Sequence, residues 1–375
     1  MEFDLRTALD ALRQRGTVFQ VANDARPPES YVFSAFLPEE KKFSYQATSG
    51  SMTVRATMAG LVGMDSPYPL GGALEVSKFS EETAKIAIRV PLPERDLREL
   101  QEALFRLTAT GANTLEAVQQ TALNFEDHLI VQPMLDTTEY LRGRALVFGM
   151  IDWAFNGVRL LVDYGIPSAN ILPTRTGDDA YGGSTSKFWA DMALQRTRLK
   201  NSIVARIMHS DTKEVILANP ANNIELIAED LDRGTFSVRR YVIRGGVPVA
   251  SADPRDRADF ITYDGEGEVW DLARPGKTKL LRFMPSGAVT AIGRFNARRF
   301  VVGAGAQTPP NPAGLMVGYT HLAPTTESFG RPGRWSDVRT PDGEPWMIEG
   351  RGAMNGIPVI EAPDRICTAS TEMPG

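Results

Sequence analysis

Two alternating apolar runs constrain this 375-residue chain more than any other feature. In the first, Phe43, Tyr45 and Ala47, then Met52, Val54, Ala56 and Met58, alternate with polar residues; alternation returns with Leu74 and Val76, and again with Ile86, Ile88 and Val90. A period of two places successive side chains on opposite faces, which is strand geometry. The stretch between the runs, GLVGMDSPYPLGG at 60–72 with Tyr68 near its centre, breaks the pattern with Gly and Pro. A long two-stranded excursion is expected. A hairpin of this size is only marginally stable alone in water, so it packs either on its own body or on a neighbouring subunit.

The segments on either side read as follows. Leu5, Leu9 and Leu12 stripe a short amphipathic helix stopped by Gly16, and residues 17–37, with Pro27 and Pro28, read as an extended arm. Pro93 opens a helix with Leu97, Leu100, Leu104 and Leu107 on its buried stripe, ended by Gly111. A longer helix runs from Leu115 through Leu129 and Leu141 towards Gly149, with a kink expected at Pro133. About 30 residues at ~1.5 Å each make a strut of about 45 Å. Asn156-Gly157 between two apolar runs predicts a hairpin. Thr185 to Lys200 reads as a helix, Ile203 to Met208 as a buried strand, and Ser210 as the cap of a helix with Asp211 and Glu214 in its first turn. Short strands follow from Ser237 to Thr290, with VIRGGVPVA and KLLRFMPSGAVTAI read as hairpin-like, and Ile357, Val359 and Ile360 are expected to form the final strand.

Composition excludes more than it selects. With 42% hydrophobic and 23% charged residues the chain can bury a core, and no run reaches the roughly 18 apolar residues that cross a bilayer, so no membrane partner is expected. MEFDLRTALDALRQRG lacks the continuous apolar core of a signal peptide, which predicts synthesis in the cytoplasm. The lone Cys367 excludes an internal disulfide. A net charge of -5 argues against a chain whose task is gripping DNA.

Catalytic and metal-binding patterns are not expected either. His128, His209 and His321 lie far apart in sequence without ligand spacing. Gly303-Ala304-Gly305 runs into prolines where a phosphate-binding helix would start, and Gly276-Lys277-Thr278 lacks the first glycine of a P-loop. Asp178-Asp179 and Glu229-Asp230 read as solvated loop and helix-end charges rather than Mg²⁺ ligands. Arg239-Arg240 and Arg298-Arg299 suit complementary contacts between copies or plain surface charge. The reading is therefore of a structural protein, with no enzyme activity, cofactor or metal.

The order of these parts resembles the tailed-bacteriophage major capsid proteins of the lambda type, the capsid protein E family. NGVRLLVDYGIP, FWADMALQ, IVARIMHSDTKEVILANP, LLRFMPSGAVTAIG, LMVGYTHLAPT and GIPVIEAPDRICTAS carry the resemblance. It implies an α+β, HK-ninety-seven-type capsid fold: an N-terminal helix and arm (1–37), an extended β-hairpin loop (38–92), a peripheral domain with a long spine helix and β-hairpin (93–184), an axial α/β domain (185–345) and a C-terminal return segment (346–375). It further implies self-assembly as pentamers and hexamers into an icosahedral head, with a separate scaffolding protein, a portal and often a decoration protein. The shell encloses double-stranded DNA without reading its sequence, so the expected location is the virion. Candidate contacts between copies are Leu5, Leu9 and Leu12 on the first helix, and Met52, Val54, Met58, Tyr68, Leu74 and Val76 on the hairpin. An encapsulin-like shell shares the fold, and an α/β enzyme is the non-structural alternative.

Overall fold

The computed structural model describes residues 22, 25–55, 73–93, 124, 126–155, 158–244, 247–270, 277–295, 314–328, 330–339 and 347–373. The first helix with Leu5, Leu9 and Leu12, the hairpin tip with Met58 and Tyr68, the helix expected from Pro93 and the Arg298-Arg299 pair lie outside the described residues.

Two mixed layers organise the chain. The first is a five-stranded sheet built from both ends of the sequence: β1 (Glu39–Lys41), β4 (Ala84–Pro93), β15 (Gly318–Ala323), β16 (Arg334–Arg339) and β17 (Met347–Ile360), in the order β1-β15-β17-β16 with β4 on the other side of β17. β1 runs parallel to β15, and β4 pairs with β17 over ten residues from Ala84↔Gly356 to Met347↔Pro93. Ile86, Ile88 and Val90 of β4 are half-buried while Lys85, Ala87 and Arg89 are exposed, as a sheet with one covered face demands.

The second layer is a seven-stranded sheet, β10-β9-β11-β7-β14-β18 with β8 on β9. Its strands are β7 (Ile203–Met208), β8 (Ile224–Asp230), β9 (Thr235–Arg244), β10 (Val247–Ala250), β11 (Arg257–Thr262), β14 (Ala288–Gly293) and β18 (Ile366–Ser370). Helices α2 (Phe188–Arg198) and α3 (Ser210–Ala218) cover one face, where Phe188, Met192 and Ile216 meet Met208, Phe236, Val238 and Phe260. Phe236 and Phe260 stack with ring centroids 5.1 Å apart.

The spine helix α1 (Gln132–Phe148) joins the layers. It is buried on nearly every side, against β17, β4, β14 and the strands of a small hairpin, β5 (Met150–Phe155) and β6 (Val158–Asp163). Gly149, at φ 68°, ends it by donating to the Ala145 carbonyl at 3.1 Å. The kink expected at Pro133 takes a definite form. Asp127–Val131 is a π-helical turn, closed by Gln132 N–H donating to the Asp127 carbonyl, immediately before the proline. Pro133 has no N–H to give and its ring crowds the carbonyl four residues back, so the preceding turn opens by one residue. Where β17 crosses this region the Ile130 side chain packs directly on its backbone: a Cβ on Gly352 would lie 2.4 Å from Ile130 Cγ2.

Several local expectations hold. Phe155↔Val158 register leaves two residues at the Asn156-Gly157 turn, and Val247↔Arg244 leaves two between β9 and β10. Others change. Ser210 is the first helical residue rather than the cap; His209, extended at ψ 153°, caps α3 by accepting Asp211 N–H on Nδ1 at 3.1 Å. KLLRFMPSGAVTAI is not a hairpin: β13 (Thr278–Arg282) pairs with β12 (Glu266–Trp270), and the Pro285-Ser286-Gly287 turn sends β14 into another sheet between β7 and β18. Ile357, Val359 and Ile360 lie in β17, and the final strand is β18, a run whose polar Thr368 pairs with the buried Thr290.

Candidate assembly surface

The second alternating run divides between two partners. β2 (Gln46–Arg55) and β3 (Ala73–Glu82) pair with each other from Gln46↔Glu82 to Arg55↔Ala73. Met52 stands opposite Val76 and Val54 opposite Leu74, so four of the contact residues expected from sequence fall into two cross-strand pairs. Ten residues at ~3.3 Å give an excursion of about 33 Å. Neither strand pairs with a third among the described residues. The alternation of β4 belongs to the body instead, because β17 offers it a ten-residue ladder and an apolar layer beneath.

The root of this hairpin is fastened. Thr83 N–H and hydroxyl both donate to the Tyr45 carbonyl, at 2.9 and 3.1 Å, and the His321 ring bonds the Ser44 carbonyl at 2.7 Å. Burial holds His321 below the usual imidazole range, so the ring stays neutral near pH 7. Phe43 and Tyr45, at the root, remain exposed.

Beneath the root lies a buried ionic clasp. Arg142 on α1, fully enclosed, bonds Glu39 of β1 at 3.0 Å, Glu139 one turn back at 3.1 Å and the Thr320 hydroxyl of β15 at 2.8 Å. Arg334 of β16 also bonds Glu39, and donates to the Ala25 carbonyl of the arm at 2.9 Å. Glu139 accepts from Phe33 N–H at 2.8 Å and Tyr263 hydroxyl at 3.1 Å. Two largely buried arginines thus face two carboxylates, and most of the surrounding donors and acceptors are filled, though Arg334 Nε has no hydrogen-bond partner among the described residues; mutual pairing of this kind is what makes such a cluster tolerable. Farther along, Glu126 beside the π-turn accepts from the Ser336 hydroxyl, and burial pushes its carboxyl up to about 7.

Sequence reading did not identify the clasp. Its one signal is Glu139 and Arg142 at i, i+3 among Leu135, Leu141 and Leu146, charges placed on a helix whose every face is covered. A second set of residues was also missed: large apolar side chains left exposed on short hairpins. Met150 and Leu161 lie on β5 and β6, Leu280 on β13, and Leu231, Ile243 and Val247 at the turns bounding β9.

The residues considered for chemistry do not converge. His128 is exposed on the π-turn, His209 caps α3, and His321 serves the hairpin root. Among the described residues no three His, Cys, Asp or Glu group so as to hold a metal. Asp178 and Asp179 take Ser184, Thr185 and Lys187 as partners, while Glu229 pairs with Lys213. Cys367 is buried in β18, where its thiol is pushed up to about 11.

No family model matches the chain, and no curated protein matches it in sequence. Solved structures do. A protein assigned as the capsid protein of a prophage in E. coli CFT073 covers 98% of this chain and 99% of its own, with TM-score 0.54 and 10% identity. A phage-related protein from Bordetella bronchiseptica RB50 covers 95% and 96%, with TM-score 0.44 and 9% identity. A chain of the satellite phage P4 procapsid, a structure that includes the size determination protein, covers 99% and 98%, with TM-score 0.45 and 10% identity. The first likeness, end to end over both chains, establishes the fold: this chain has the α+β, HK-ninety-seven-type architecture of phage capsid proteins.

Proposed function

We propose that this chain is the major capsid protein of a tailed bacteriophage, self-assembling as pentamers and hexamers into an icosahedral head around double-stranded DNA. The observation that carries this reading is the capsid fold over 98% of the chain. The hairpin supports it independently: its strands pair over ten residues each, Ala47 at its base is buried in the core, and no third strand pairs with them among the described residues. Such a ribbon gains stability by lying on a neighbour, where each Å² of apolar surface removed from water contributes about 25 cal/mol.

On this reading the contacts at Leu5, Leu9, Leu12, Met52, Val54, Met58, Tyr68, Leu74 and Val76 join neighbouring copies, and a separate scaffold, a portal and a decoration protein complete the particle in the virion. The division is arm 1–37, extended loop 38–92, peripheral domain 93–184, axial domain 185–345 and return 346–375. Sheet membership supports moving 318–339 out of the axial domain, since β15 and β16 share the sheet of β1, β4 and β17, on which α1 of the peripheral domain packs. A net charge of -5 suits a container for DNA rather than a reader of it, and a shell subunit needs no catalytic group.

Negative-stain electron microscopy with size exclusion, on the protein alone and expressed with its neighbouring genes, tests the proposal. Closed shells or five- and six-fold rings are expected. A monomer or dimer under every condition, scaffold included, would overturn it. Deleting residues 60–72 is expected to leave a folded subunit that forms no shells.

A further inference from the structure

The strands β8, β9 and β10 form an outlying part of the seven-stranded sheet whose two ends are opposite in character. At the β8–β9 turn Leu231 is 82% exposed, in the company of Glu229, Asp230 and Asp232. At the other end of β9, Ile243 and Val247 are 63% and 60% exposed on either side of the two-residue turn, and the nearby cations are Arg239 and Arg240. Glu229 is paired with Lys213, Asp230 lies 3.8 Å from Arg233, and Arg239 meets Glu225 at 3.0 Å. Asp232 and Arg240 are exposed, and neither has an ion-pair partner among the described residues. One end therefore presents an apolar knob, Leu231, with one unpaired acid, Asp232; the other presents two apolar knobs, Ile243 and Val247, on opposite faces of the β9–β10 hairpin, with one unpaired base, Arg240. β9 holds the two about 33 Å apart, ten residues at ~3.3 Å, so they cannot meet within one chain.

We infer that these two ends meet between copies: the Leu231 end of one subunit docks on the Ile243 and Val247 end of the next. The occupant of each end is a second copy of this chain, which refines the shell reading above and rests on it. Such a contact joins different patches on the two partners, and repeated contacts of that kind close into a ring when the rotation allows. Opposite charges set register and direction, while the apolar knobs supply the buried area. Edge-to-edge strand pairing is not the mode. The outer edge of β8 carries Glu225, Glu229 and Asp230 and a register shift between Leu226 and Ala228, and β10 carries Pro248, features that blunt a sheet edge.

The test is a double variant, Leu231→Cys with Ile243→Cys, expressed with the neighbouring genes, oxidised and run on a non-reducing gel. Cys367 is buried and its thiol is held protonated, so it adds little background. The expected result is a ladder ending at five or six copies, absent from the control pair Leu231→Cys with Leu161→Cys. Arg240→Glu is expected to lower the assembled fraction about tenfold, with recovery when combined with Asp232→Arg. Wild-type particles without a 231–243 ladder, or equal ladders from both cysteine pairs, would overturn the inference while leaving the shell reading standing. A wild type that never assembles would overturn both, and the wild-type lane identifies that case.

Discussion

The clasp around Arg142 and the hairpins on the outside treat their side chains in opposite ways. In the clasp, charges that water would have solvated freely are enclosed, each with several partners: Arg142 alone reaches Glu39, Glu139 and Thr320. On the outer hairpins, Leu231, Ile243 and Leu161, which water solvates poorly, are left uncovered. A lone globular protein gains from neither arrangement. Buried ion pairs of this kind contribute little net stability but penalise any other arrangement of the same segments, and exposed leucines find their value only against another surface. The clasp fixes where the arm and hairpin root stand; the exposed apolar side chains would contribute only against another surface, which the proposed contacts between copies would supply.

Variants that break one side should leave the other alone. The largest effect is expected from Arg142→Met, which strands Glu139 without a cation and leaves Glu39 with Arg334 alone; a loss of about 3–5 kcal/mol follows, read as a lower urea midpoint, with earlier proteolysis of residues 25–41. Glu126 tests the burial of charge through pH. Its folded value of about 7 lies above the ordinary 4.5, so the folded state holds a proton that the unfolded state releases, and stability falls as pH rises from about 4.5 to 7. At ~1.4 kcal/mol per unit the total is about 3 kcal/mol, and Glu126→Gln is expected to flatten thermal stability across that window. Gly352→Ala, which drives a methyl into Ile130, is expected to cost about 1–3 kcal/mol by chemical denaturation. The smallest effect on the monomer belongs to Leu161→Ser: stability within about 0.5 kcal/mol of wild type, but fewer assembled particles by electron microscopy if this turn is a contact. A large loss of monomer stability there would erase the contrast between the two regions.

The legible parts of the fold were those decided by local rules. Asn156-Gly157 signals a two-residue connection, and the Phe155↔Val158 register leaves two residues there; β7 begins and ends where its apolar run does, and Pro133 announces an irregular helix. What local pattern cannot tell is which strand accepts a given run. Ile86, Ile88 and Val90 alternate just as Leu74 and Val76 do, yet one set pairs with a strand more than 250 residues away and the other with its own hairpin mate. The same blindness joined β13 to β14 and placed the last strand too early. Exposed apolar residues were the least legible, since the exposure of Leu231 or Ile243 depends on where neighbouring segments stop.

The clasp also sets a clock. Glu39 waits for Arg334, 295 residues later in the chain, before its second cation exists. At ~5–20 residues per second a ribosome needs about 15–60 s to make the intervening chain. Until then the arm and the root of the hairpin lack this fastening, so on the proposed shell reading a nascent chain would hold its ribbon in no fixed orientation, and recruitment into a growing lattice would be reserved for finished subunits.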